Sequence, residues 1–176
     1  MPRIKLHLKG VVSSRADASA KLKAPGDVVL VERGYPRWLV MQCPDGCGDE
    51  IPINLDSRAG PAWRMYRTPK LGLTIYPSVW RDTGCESHFI VWRDNILLFG
   101  GWDDSDYESF WEDNAFDSLR DAVLAHLQRD RMVHFSAIAD DLNEIPWDVL
   151  KACRQLVKRG LALEGEKKQR QHFQRK

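Results

Sequence analysis

Apolar and polar positions alternate with a period of two along the first hundred residues and with a period near 3.6 along the last sixty. Ile4, Leu6 and Leu8 stand between polar neighbours, the pattern of a half-buried strand. Residues 13–25 are polar and read as a loop or one short helix. Strands are then expected at 28–32, 38–42, 51–55, 63–67 and 73–76, each bounded by Gly, Pro, Asp or Ser. Two more, at 89–93 and 96–99, flank Asp94-Asn95, a dipeptide suited to a tight hairpin turn.

After residue 116 the period changes. Leu119, Ala122, Val123 and Leu127 share one face of a helix expected at 117–129. Ser136 is placed to cap a second helix that buries Ile138, Ala139 and Leu142. Pro146 opens a third in the favoured first-turn position, with Val149, Leu150, Cys153, Leu156 and Val157 inward and Gly160 at its end. Segments 161–164 and 169–173 then form a short hairpin. Three helices and a hairpin is the winged-helix order, and Ile138-Ala139, Leu142 and Leu156-Val157-Lys158-Arg159-Gly160-Leu161 resemble that family's usual pattern. The expected architecture is α+β: a β domain over 1–102, an acidic junction over 103–116 and a small winged-helix domain over 117–176.

Composition narrows the class. The chain has 176 residues, 43% of them apolar, and seven tryptophans, enough for a substantial core. Its net charge of +1 gives no overall pull toward nucleic acid or membrane. The neutrality is a cancellation: eight acidic residues lie between Asp103 and Asp121, whereas nine Lys or Arg face only Glu164 and Glu166 from Lys151 to the end. No apolar run approaches about 20 residues, and the N-terminal segment lacks the apolar core of a signal peptide. A soluble, cytoplasmic protein with no membrane partner is the expectation.

Candidate metal chemistry sits in two knuckles, Cys43-Pro-Asp-Gly-Cys47 and Cys85-Glu-Ser-His88. Cys43, Cys47, Cys85 and His88 together match the three sulfurs and one nitrogen of a closed tetrahedral Zn²⁺ site. Pro44 and Gly46 suit the tight turn, and such spacing fits a reducing compartment better than disulfides do. Four protein ligands leave no open position for water, so one structural zinc is expected. Knuckles at strand ends are the layout of an antiparallel zinc-ribbon-like or rubredoxin-like domain. Cys153, on an apolar helical face, is expected in the core.

Over roughly residues 28–100 the chain also resembles a bacterial family of small zinc-knuckle proteins. The residues that carry the likeness are Cys43-Pro-Asp-Gly-Cys47-Gly, Tyr76-Pro-Ser-Val-Trp80 and Gly84-Cys85-Glu-Ser-His88-Phe89. The family's usual pattern has a Cys-Gly-Cys-Gly knuckle, a His-Pro-Ser turn and a Cys-Arg-Ser-His strand start. Here Tyr76, Asp45 and Glu86 depart from it. Members often lie in operons with ubiquitin-like proteins and their conjugation enzymes. The resemblance therefore implies a protein partner, a ubiquitin-like protein or one of its enzymes, in a conjugation system of the antiphage-defence kind.

No Ser-His-Asp order, phosphate loop or dinucleotide fingerprint is present. Asp103-Asp104 reads as a solvated turn, His126 and His134 as packing or capping residues, and Tyr76–Trp80 as an aromatic turn packed near the metal. The expectation is thus a non-catalytic zinc-binding adaptor, with Trp63, Trp80, Trp92 and Trp102 available as anchors for a protein. The alternative is a DNA-binding regulator that uses Lys151, Arg154, Gln155 and Lys158 on the third helix and Lys167, Lys168 and Arg170 on the wing. Asp148, in the first turn of that helix, counts against it.

Overall fold

A computed structural model describes residues 4–99 and 117–176. The chain divides into two compact units, Met1–Trp102 and Asp103–Lys176. The acidic stretch 103–116 and Trp102 lie outside the described residues.

The first unit holds two sheets. One has the order β2-β3-β4-β5, from His7–Val12, Asp27–Glu32, Pro36–Gln42 and Glu50–Asn54. The other has the order β1-β9-β8-β7-β6, from Ile4–Lys5, Asn95–Phe99, His88–Trp92, Gly72–Trp80 and Arg64–Thr68. Leu30, Leu39, Met41, Ile51 and Ile53 of the first sheet share one core with Ile75, Val79, Phe89, Val91 and Ile96 of the second. A ribbon of two hairpins is therefore too small a description, and one pairing, β2 with β3, is parallel.

The run Val28-Val29-Leu30-Val31 reads as continuous rather than alternating because β3 is buried on both faces. Val28 and Leu30 enter the shared core, while Val29 and Val31 pack with Ala18 and Leu22 around α1 (Arg15–Ser19). Ser14 caps that helix by accepting from the Asp17 N–H.

The expected single strand through Ile4, Leu6 and Leu8 is two short strands. At Leu6, 6% exposed, the chain leaves one sheet and joins the other. Gly26 makes the crossing possible: its φ is +85°, and a Cβ there would stand 2.5 Å from the Lys5 carbonyl oxygen. Gly26→Ala is expected to destabilise the first unit by about 1–3 kcal/mol, read as a lower denaturant midpoint at unchanged slope.

The hairpin at 93–94 also differs from the reading by one residue. Trp92 pairs with Asn95, so the two-residue turn is Arg93-Asp94, with φ of +50° and +57°. Both values belong to a primed turn, which favours residues such as Asp that tolerate this region.

The second unit runs α2 (Asp117–His126), β10 (Val133–His134), α3 (Phe135–Leu142), α4 (Pro146–Lys158), β11 (Ala162–Glu164) and β12 (His172–Arg175). α2 and α3 pack on α4, and the strands form a small sheet of order β10-β12-β11. Pro146 opens α4 as the sequence leads one to expect. The cap of α3 is His134, not Ser136: its Nδ1 accepts the Ser136 N–H at 3.3 Å. Cys153 is buried, and that burial pushes its thiol up to about 12.

Candidate functional site

Strand β7 carries Tyr76-Pro77-Ser78 through its middle. Proline has no N–H to give to a ladder, so pairing fails around it. Ile75 pairs with Val91 and Val79 with Phe89, so four steps along β7 answer two along β8. The two extra residues form an irregularity of the kind that re-aims side chains near functional sites. Ser78 belongs to this interruption, and the Tyr76–Pro77 peptide that precedes it is cis.

Alternation then decides which residues meet. Val79 and Phe89 pair and turn into the shared core, so Trp80 and His88, the next pair, take the opposite face. Ser78 shares that face with Trp80, two positions away. Across it His88 Nε2 lies 3.1 Å from Ser78 Oγ, a hydrogen bond between two half-buried side chains. Phe99, the partner of His88 on β9, places its ring 4.4 Å from the imidazole, and Trp80 sits 5.9 Å away on the other side. Burial between these rings lowers the pKa of His88, and among the described residues no carboxylate contributes to that shift. The imidazole is neutral at neutral pH, and in the tautomer protonated on Nδ1 it accepts the serine proton.

Another serine–histidine contact exists, His134 Nδ1 to Ser136 Oγ at 2.8 Å. Its residues are two apart and serve the cap of α3. His126 lies 3.2 Å from Asp141. The Ser78–His88 pair instead joins residues ten apart on one sheet face beside exposed aromatics; Trp80 is 71% and Phe99 39% exposed.

At the ends of the two sheets lies a second cluster. The β4–β5 loop brings Cys43, Asp45 and Cys47, and the β7–β8 loop brings Cys85. One ligand atom from each lies within 4.8 Å of all the others, close enough to bind one metal ion. Gly46 and Gly48 hold φ of +87° and +88° in the first loop, where a Cβ would be strained. Asp45 Oδ1 accepts the Cys47 N–H at 2.8 Å and faces Cys43 Sγ at 3.0 Å; Cys43 and Cys85 sulfurs are 3.6 Å apart.

Arg81 Nη1 reaches Asp49 Oδ2 at 2.9 Å and Cys85 Sγ at 3.3 Å. Burial pushes the Cys43 thiol up to about 12. Burial alone would raise Asp45 too, but bonds from Cys85, Cys43 and the Cys47 amide hold its carboxyl well below the usual range.

The donor atoms that gather at this point include one from Asp45 and none from His88, which the sequence leads one to expect there. Strand parity is the reason. Phe89 points into the core beside Cys43 and Cys85, so His88 points out of the other face, toward Ser78. Of the tryptophans offered as anchors, Trp80 is exposed, Trp63 is half-buried with its Nε1 donating to the Ser78 carbonyl, and Trp92 is buried.

Over residues 14–99 the chain matches a family described as bacterial ubiquitination-like system serine protease (BubE). The match ties this segment to bacterial ubiquitin-like conjugation systems. It covers the Ser78–His88 pair and all four residues of the metal cluster. No curated protein and no solved structure gives a match.

The expectation of a non-catalytic adaptor is corrected by this finding, since the matched family is described as a protease. The DNA-binding alternative gains no support. Lys151, expected on its reading face, is buried at 1% exposure, as is Asp148 at 2%. Arg154 is turned toward Glu164 at 3.9 Å, and Gln155 accepts from Arg120 at 3.4 Å. Lys158, Lys167, Lys168 and Arg170 are exposed. Among the described residues no helix is long and apolar enough to cross a membrane.

Proposed function

We propose that this chain is a serine peptidase of a bacterial ubiquitination-like system, with Ser78 as nucleophile and His88 as general base. The observation that carries the reading is the 3.1 Å bond between Ser78 Oγ and His88 Nε2, inside the segment matched by a family described as a serine protease. That distance lies within the reach a base needs, about 2.6–3.2 Å. His88 Nε2 takes the hydroxyl proton as Oγ attacks the carbonyl carbon of the scissile bond. The same nitrogen returns the proton to the departing amine, leaving an ester on Ser78. Water, deprotonated by His88, then adds to the ester carbon, and Ser78 leaves with the proton. Trp80 and Phe99 shield the imidazole, which keeps it neutral and basic enough to act.

The substrate is a ubiquitin-like protein joined through its C-terminus to an amine, the linkage that conjugation systems make. Cys43, Cys47 and Cys85 suit Zn²⁺, since three sulfurs select a soft, tetrahedral ion. Bound there, the ion would supply a staple between the two loops. The second unit, by its element order and its β10-β12-β11 sheet, is read as a winged helix. Incubating the protein with a ubiquitin-like protein fused at its C-terminus to a reporter tests the activity: release of the reporter is expected from the native chain and not from Ser78→Ala.

The pH dependence has a definite sign. His88 is active when neutral, and its pKa is lowered from the ordinary 6.5. Its acidic limb in kcat/KM should therefore bend below pH 6.5, with activity sustained above that point. Trp80→Ala opens the ring to water and should move the limb upward, toward 6.5.

A further inference from the structure

Three thiols leave a thiolate-binding ion one donor short of a closed tetrahedron, and His88 is engaged at Ser78. We propose that Asp45 completes the site, giving three sulfurs and one carboxylate oxygen for a zinc-class divalent ion, with no part taken by His88. The inference rests on the assignment of a metal to these thiols and extends it to a ligand that the two-knuckle spacing does not indicate.

The loop aims Asp45 at the sulfurs. Its Oδ1 is pinned by the Cys47 N–H at 2.8 Å, and residue 45 lies within a turn in which the Gly46 N–H donates to the Cys43 carbonyl at 3.3 Å. The dimensions suit the ion. With Zn–S near 2.3 Å and Zn–O near 2.0 Å, a tetrahedron has edges of about 3.8 Å between sulfurs and about 3.5 Å from sulfur to oxygen. The Cys43–Cys85 separation is 3.6 Å, and the Cys43–Asp45 separation is 3.0 Å. One edge is nearly met, and the other opens by about half an ångström when the thiol proton that bridges it gives way to the ion.

Charge is answered as well. Three thiolates and a carboxylate around a divalent ion leave two negative charges in excess. Arg81, half-buried, places Nη1 3.3 Å from Cys85 Sγ and 3.8 Å from Cys47 Sγ, where a cation offsets them. Ser87 Oγ, 3.5 Å from Cys43 Sγ, is available to donate to a thiolate.

Titrating metal-free full-length protein with Co²⁺, and following absorbance, tests this without reading catalysis. His88→Ala should leave both the affinity and the sulfur-to-cobalt charge-transfer bands unchanged. Asp45→Ala and Asp45→Asn should weaken binding by about 10-fold or more, on the scale set by lesser perturbations of metal sites. Asp45→Cys should restore tight binding and strengthen the bands from three thiolates' worth to four.

Circular dichroism of each variant separates ligand loss from unfolding, and the cysteine variant answers the question even if the alanine variant folds poorly. The assignment of Asp45 is overturned if His88→Ala loses the ion, or if Asp45→Ala binds as the native chain does. Absence of Co²⁺ binding by the native chain would overturn the site itself. A failure of the peptidase reading would appear only in reporter release and would leave these spectra untouched.

Discussion

Ser78→Ala is expected to lower kcat for reporter release by about 10³-fold or more, with little change in fold or in binding of the ubiquitin-like protein. The hydroxyl is the only atom lost, and it lies on the solvent-facing side of β7, outside the shared core. His88→Ala should cost nearly as much, because a nucleophile and its base act as one unit. The double variant should therefore be scarcely worse than either single one. Additive losses would mean that the two residues serve separate purposes. Reporter release measured under single-turnover conditions makes the comparison, since it reads the chemical step and not product departure.

Loss of the metal should be the largest effect on stability. Binding at such sites is worth on the order of 10 kcal/mol at neutral pH, comparable with the whole stability of a domain. The ion would join the β4–β5 loop of one sheet to the β7–β8 loop of the other, so its energy is felt by both. Cys47 makes the cleanest test. Its side chain is exposed, and without a metal Cys47→Ser should change stability by no more than about 0.5 kcal/mol. With a metal, the same change, or a strong chelator, should lower the first unit's melting transition steeply while the helices of the second unit persist. Calorimetry with and without chelator distinguishes the two cases.

Sequence pattern revealed the change of period, most strand positions and the cysteine knuckles because each is a local signal; Tyr76–Trp80, expected as a turn, belongs to strand β7, Gly72–Trp80. The spacing of Cys43, Cys47 and Cys85 and the glycines around them express the turns directly. The serine–histidine pair does not declare itself in that way. Ser78 and His88 become neighbours only because β7 gains two residues against β8 around Pro77, and register is a property of two strands together.

Cys85-Glu-Ser-His88 looks like a ligand pair when read as a loop. Once His88 is the first residue of β8, period-two alternation fixes Phe89 in the core and turns the imidazole outward. One signal was legible: a proline inside an otherwise clean strand, followed by serine and flanked by aromatics, marks an interruption that has to serve something. Lys151 misled for the opposite reason, since helical periodicity alone placed a buried residue on the outer face.

Covalent labelling tests the central claim most directly. A fluorophosphonate reacts with a serine hydroxyl only where a neighbouring base makes it nucleophilic, whatever the natural substrate. Mass mapping of the labelled native protein should place a single adduct on Ser78. The adduct should be absent from Ser78→Ala, strongly reduced in His88→Ala and retained in Asp45→Cys. No adduct on the native chain, or an adduct on another serine that persists in Ser78→Ala, would contradict the account.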